Sequence, residues 1–118
     1  IGVNHVGYTF AGVGELLETY ERLKQLGITP YWSVHHGVTL SMYYQDPDGN
    51  RMEFQVDCCK NAEEAHAFMH TESFAANPVG VDVDFESLLE QYRSGASEET
   101  LLAQPNGPAS NIPVAHGM

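Results

Sequence analysis

The 118-residue chain carries 16 acidic against 5 basic residues, a net charge of −11 with histidine neutral. Such a surface repels phosphate backbones and anionic lipid, which sets aside nucleic acid and membrane surfaces as partners. No apolar run reaches the roughly 18 residues a membrane helix needs, and 42% hydrophobic with 18% charged residues is ordinary for one globular domain. Cys58 and Cys59 are adjacent, which does not read as an extracellular disulfide framework, so a reducing, cytoplasmic setting is expected. The chain opens at Ile1, without an initiator methionine or a signal-peptide pattern, and is expected to be a processed chain or a fragment of something longer.

Residues 3–10, VNHVGYTF, alternate with period 2. Val6, Tyr8 and Phe10 share one face of the expected strand, and His5, Gly7 and Thr9 share the other. From Val13 to Leu26 the period lengthens, with Leu16, Leu17, Tyr20, Leu23 and Leu26 forming one stripe of an amphipathic helix that Gly27 ends. ITPYWSV (28–34) reads as a strand that Pro30 confines to an edge or a strand start. VTLSMYYQ (38–45) sets Leu40, Met42 and Tyr44 against Thr39, Ser41 and Tyr43, and RMEFQV (51–56) sets Met52, Phe54 and Val56 against Arg51, Glu53 and Gln55. DPDGN between them carries the residues a tight reversal needs, so a hairpin is expected. Three short helices follow: residues 61–70, residues 84–93 capped by Asp84, and residues 97–104 capped by Ser97. After Pro105 the composition is loop-like and mobility is expected. No internal repeat is visible.

Three strands each bring one chemically capable polar residue to the face opposite their apolar set: His5, Tyr43 and Glu53. A sheet covered by a helix on one face leaves the other free to line a cavity. His and Glu on neighbouring strands can share a metal ion, and a second His would complete the 2-His-1-carboxylate triad of non-haem Fe(II). Each residue also has a plainer reading, as a hydrogen-bonded structural histidine, a packed tyrosine or a solvated carboxylate. His66 and His70, on or at the end of a helix, and His116, in the tail, are set aside.

In order and spacing, NHVGYTF, the helix end YERLKQLGI, HHG and YYQDPDGNRMEF resemble a βαβββ module of the vicinal oxygen chelate superfamily. The likeness is to the metal-carrying C-terminal module of type I extradiol dioxygenases, the biphenyl-2,3-diol 1,2-dioxygenase or catechol 2,3-dioxygenase group. It implies an α+β fold of the glyoxalase/bleomycin resistance/dihydroxybiphenyl dioxygenase type over residues 1–57, followed by a helical and loop C-terminal extension over residues 58–118. It implies His5 and Glu53 as metal ligands, Tyr43 as the hydrogen-bonding partner of an iron-bound catecholate oxygen, and His36, with His35 beside it, as a second-sphere histidine. The expected cofactor is Fe(II), with Mn2+ or Zn2+ as alternatives, and the expected partners are a small aromatic diol and O2. Family members build the site from two modules, so a separate chain carrying the first module, or a second copy of this one, is expected to complete it. Competing readings are a glyoxalase- or epimerase-like metal enzyme and a non-catalytic ligand-binding module, and Trp32, Val34 and the tail are candidates for specificity.

Overall fold

A computed structural model describes residues 5–59 and 61–113, the side chains of His5, Val6 and Ser73 excepted. Val3 and Asn4, at the start of the expected first strand, and His116 lie outside the described residues. The elements are β1 (His5–Phe10), α1 (Val13–Gln25), β2 (Trp32–His35), β3 (Thr39–Gln45), β4 (Arg51–Asp57), α2 (Ala62–Met69), α3 (Glu72–Ala76), β5 (Val81–Asp82), α4 (Phe85–Arg93) and α5 (Glu98–Leu102). The first five are the βαβββ order that the alternating patterns foretold.

The strands form one mixed sheet in the order β1-β4-β3-β2-β5. β1 runs parallel to β4, and every other pairing is antiparallel. The fifth strand was not expected: β5, only two residues long, comes from the C-terminal extension and pairs Val34 with Asp82 and His35 with Val81. A strand that short has no periodicity to read, and only its docking on β2 defines it.

One face of the sheet is the main core. Leu40, Met42, Tyr44 and Val56 meet Val13, Leu16, Leu17 and Tyr20 of α1, Phe85 and Leu89 of α4, and Leu101 of α5. Fully burying a residue such as Leu16 stabilises the fold by about 1.5–3 kcal/mol. α1 ends where its sequence requires: Gly27 takes φ +80, its N–H bonds the Lys24 carbonyl at 2.9 Å, and the Ile28 N–H bonds the Leu23 carbonyl at 2.9 Å. That pair of bonds is a Schellman motif, and the left-handed residue it requires is a glycine. The DPDGN hairpin forms as expected, with Asp46 Oδ1 accepting from the backbone N–H groups of Asp48 and Asn50.

The extension folds back over the same core. The caps act as read, Asp84 accepting from the Glu86 N–H at 3.0 Å and Ser97 from the Thr100 N–H at 3.2 Å. α4 lies against α1, with Tyr20 and Lys24 both donating to Glu86 at 2.6 Å, Tyr92 donating to Glu18 at 2.6 Å, and Arg93 paired with Glu21. From Pro105 to Pro113 the chain has loop character, but part of it is held in place: Ala109 bridges to Val81, and Ser110 is buried.

The second face of the sheet is buried only in part, with Gly7 and Thr9 of β1 exposed. Trp32, Val34 and Tyr43 form a separate buried cluster, with Tyr31 and Val79 packed against it.

Candidate active site

The strand registers place the candidate residues. Trp32 of β2 pairs with Tyr43 of β3, Tyr43 pairs with Glu53 of β4, and Glu53 pairs with Gly7 of β1. Directly paired residues present side chains to the same face, so Trp32, Tyr43 and Glu53 form one transverse row on the face away from α1. Two positions along β1 from Gly7, the His5 backbone pairs with Arg51. The His5 side chain lies outside the described residues.

Glu53 is gripped from β3 by two hydroxyls. Tyr43 donates to its Oε2 at 3.0 Å and Ser41 donates to the same oxygen at 3.0 Å. Hydrogen bonds to a carboxylate are about twice as strong as neutral ones, so the two donors anchor Oε2. Across from it, Gly7 adds no side chain, and a Cβ built there meets nothing within 4 Å. The carboxylate therefore borders open space on β1, among the described residues.

His36 lies just past the end of β2. Its Nδ1 donates to the Val79 carbonyl at 2.6 Å, and its Nε2 meets the Tyr43 hydroxyl at 2.9 Å. The Nδ1 contact is to a pure acceptor, so it fixes the ring's orientation and presents Nε2 to Tyr43. Tyr43 thus stands between an imidazole and a carboxylate with a single proton to direct at one or the other. Burial, together with the charge and hydrogen bond of Glu53, holds the Tyr43 phenol well above its ordinary ionisation range. Trp32 stacks on the Tyr43 ring, with centroids 4.9 Å apart and planes 23° from parallel.

The two adjacent histidines go opposite ways. His35 pairs in register with Leu40 and so faces the helical core. Its Nδ1 accepts from the Gly37 N–H at 3.0 Å and its Nε2 donates to the Leu102 carbonyl at 2.6 Å, with Cys58 Sγ 3.4 Å from the same nitrogen. His35 is a satisfied core histidine, and burial pushes its pKa down. Of the four residues singled out, the structure brings His36, Tyr43 and Glu53 into one hydrogen-bonded chain. Ser41 and the Val79 carbonyl were not foreseen. Alternation already placed Ser41 on the face of Tyr43, whereas a carbonyl 43 residues from His36 leaves no trace in sequence.

Among the described residues no three His, Cys, Asp or Glu side chains converge as a metal-holding group. A cavity of about 280 Å3 lies on the other side of the sheet, lined by His35, Asp82, Ser87, Gln91 and Leu101 among others, and contains none of His36, Tyr43 and Glu53. Cys58 and Cys59 are free thiols. No helix among the described residues is long and apolar enough to cross a membrane.

Residues 1–54 match the family model of the Glyoxalase/Bleomycin resistance protein/Dioxygenase superfamily, and the match together with two curated relatives makes the chain similar to the extradiol dioxygenases of that superfamily. It is 49% identical over 83 residues to biphenyl-2,3-diol 1,2-dioxygenase 2 of Rhodococcus globerulus, an alignment covering 70% of this chain and 44% of the relative. It is 39% identical over 101 residues to biphenyl-2,3-diol 1,2-dioxygenase 3 of the same organism, covering 86% of this chain and 53% of the relative. The chain thus spans about half the length of the curated relatives it matches. No solved structure matches it.

Proposed function

We propose that this chain is the metal-carrying half of an extradiol dioxygenase that opens the ring of a catechol-type compound with Fe(II) and O2. The observation that carries the reading is the chain His36–Tyr43–Glu53, in which a buried phenol links an imidazole to a carboxylate beside open space. The donor set fits a divalent iron. Glu53 would offer an oxygen already oriented by Tyr43 and Ser41, and His5, two positions along β1 from the residue paired with Glu53, would offer an imidazole nitrogen. When bound, Fe(II) supplies the Lewis acidity and redox capacity that let a diol react with O2.

The chain's own groups supply orientation and proton handling. The Tyr43 hydroxyl, held between His36 and Glu53, hydrogen-bonds a diol oxygen. His36, anchored by Val79, takes or returns a proton at Nε2, a task suited to an imidazole near neutral pH. Trp32 and Val34 shield that face from water and bear on which ring fits. Residues 1–57 form the catalytic module and residues 58–118 its extension. A third protein ligand comes from a separate chain carrying the first module, or from a second copy of this one, consistent with the half-length match to the relatives. The free thiols and the acidic surface agree with a cytoplasmic setting.

The test is metal content and oxygen uptake of the native material with its companion module, supplied with biphenyl-2,3-diol. Glu53→Ala should lose both iron and ring cleavage. Retention of both by that variant would overturn the assignment, and zinc without oxygen uptake in the parent would move the reading to glyoxalase-like proton transfer.

A further inference from the structure

The groups that face the proposed substrate are held in place by residues of the C-terminal extension. The Trp32 Nε1–H donates to Ser110 Oγ at 2.9 Å, across 78 residues of sequence. Ser110 in turn gives its hydroxyl proton to Asp82 Oδ1. A serine hydroxyl has one proton, and once that proton is committed to Asp82 the oxygen's lone pairs are left for the indole. The Ser110 backbone is tied down as well, its N–H donating to the Gly80 carbonyl at 2.9 Å. Gly80 sits at φ +117 so close to β2 that a Cβ there would fall 2.3 Å from the His35 carbonyl oxygen, so the strap is seated directly on the strand that carries Trp32.

From Trp32 the constraint passes to the reacting side chains. Its ring lies against Tyr43 and stands edge-on to His36, with centroids 5.8 Å apart and planes at 87°. Trp32, Tyr43 and Ser110 are 7%, 4% and 6% exposed, so little free volume remains for the indole to slide. The Tyr43 hydroxyl must meet His36 on one side and Glu53 on the other, and rotation of the stacked pair would break both contacts.

We propose that Ser110, aimed by Asp82, is a positioning residue: it locks the Trp32 indole, and through the face of that ring it holds the Tyr43 hydroxyl between His36 and Glu53. The catalytic meaning of the lock rests on the proposed dioxygenase reading, while the lock itself has a readout of its own. Trp32 is the single tryptophan of the chain, so its one indole N–H resonance reports on Ser110.

The experiment compares the full chain with Ser110→Ala and Ser110→Thr. Hydrogen exchange is followed at the indole N–H, and nitrogen-15 shifts at the His36 ring. Ser110→Ala should speed indole exchange and move the His36 shifts. In the iron-loaded protein with its companion module it should lower kcat for biphenyl-2,3-diol by about tenfold to a hundredfold at unchanged iron content. Ser110→Thr, which keeps the hydroxyl, should recover most of each. Asp82→Ala, at an exposed residue, is the second variant should Ser110→Ala not fold, and it should loosen the indole in the same direction. Indole exchange and His36 shifts like those of the parent in the Ala variants would overturn the lock. A freed indole with parental kcat and KM would overturn the positioning role. A parent that cleaves no diol would remove the dioxygenase reading alone, and the indole and His36 readouts would still decide whether the lock exists.

Discussion

Tyr43 and Glu53 are direct cross-strand partners, and the Tyr43 hydroxyl donates to Glu53 Oε2 at 3.0 Å. One bond therefore joins the proposed substrate-facing group to the proposed metal-facing group. Tyr43→Phe removes it while leaving the ring stacked on Trp32, and Ser41 continues to hold the carboxylate. The expected result is a kcat for biphenyl-2,3-diol lower by about tenfold or more with iron still bound, since removing a group that orients a ligand typically costs about 10–100-fold. A loss of about 1 kcal/mol in folding stability should accompany it, because His36 and Glu53, both half-buried, lose a hydrogen-bond partner. Steady-state kinetics with metal analysis, and denaturant titration, check the two parts.

Gly7 faces Glu53 across the parallel pair, with open space where a Cβ would stand. Gly7→Val adds a β-branched side chain that suits a strand, so the fold should tolerate it within about 1 kcal/mol. The added methyl groups fill the room beside the carboxylate. Iron retention should fall sharply while the melting temperature stays close to the parent's. Equal iron content in both proteins would show that the space is not where the metal sits.

His35 makes folding sensitive to acid. Burial lowers its pKa from the ordinary 6.5, partly opposed by the Leu102 carbonyl, with the neighbouring His36 lowering it further. The unfolded chain therefore takes up a proton at a pH where the folded chain does not. The contribution is fully present above about pH 6.5 and is lost as the pH falls below it, through the unfolded value towards the depressed folded one. Protonation would also turn Nδ1 from an acceptor into a donor facing the Gly37 N–H. Urea midpoints should drop between about pH 7.5 and pH 5.5, and His35→Gln, although less stable at neutral pH, should show a shallower slope. An unchanged slope in that variant would assign the acid sensitivity elsewhere.

Cys58 and Cys59 should behave as poor nucleophiles. Burial, with the nearby Cys59 and Asp57 groups, pushes the Cys58 thiol up to about 12, and burial with Glu64 and Asp57 raises Cys59 as well. The thiolate is the reactive form, so alkylation by iodoacetamide at about pH 8 should be slow in the folded protein and fast after denaturation. Cys58, packed against His35, should be the slower of the two. Peptide mapping over a time course gives the order directly.

Much of the architecture followed from local chemistry alone. Period-2 alternation in residues 38–45 and 51–56 assigned Leu40, Met42, Tyr44, Phe54 and Val56 to one face and Tyr43 and Glu53 to the other, because successive side chains of a strand must point opposite ways. DPDGN, Gly27, Asp84 and Ser97 set their turn, helix end and caps through bonds that reach only a few residues. Other features depended on contacts that no local pattern encodes. The direction of His35 against His36 is settled by the pairing of β2 with β3, and β5 exists only because β2 accepts it. The anchoring of His36 by Val79 and of Trp32 by Ser110 joins residues 43 and 78 positions apart. Closing such long loops costs entropy that is repaid only when the whole sheet and its strap form together, so these contacts belong to the tertiary structure rather than to any segment of the chain.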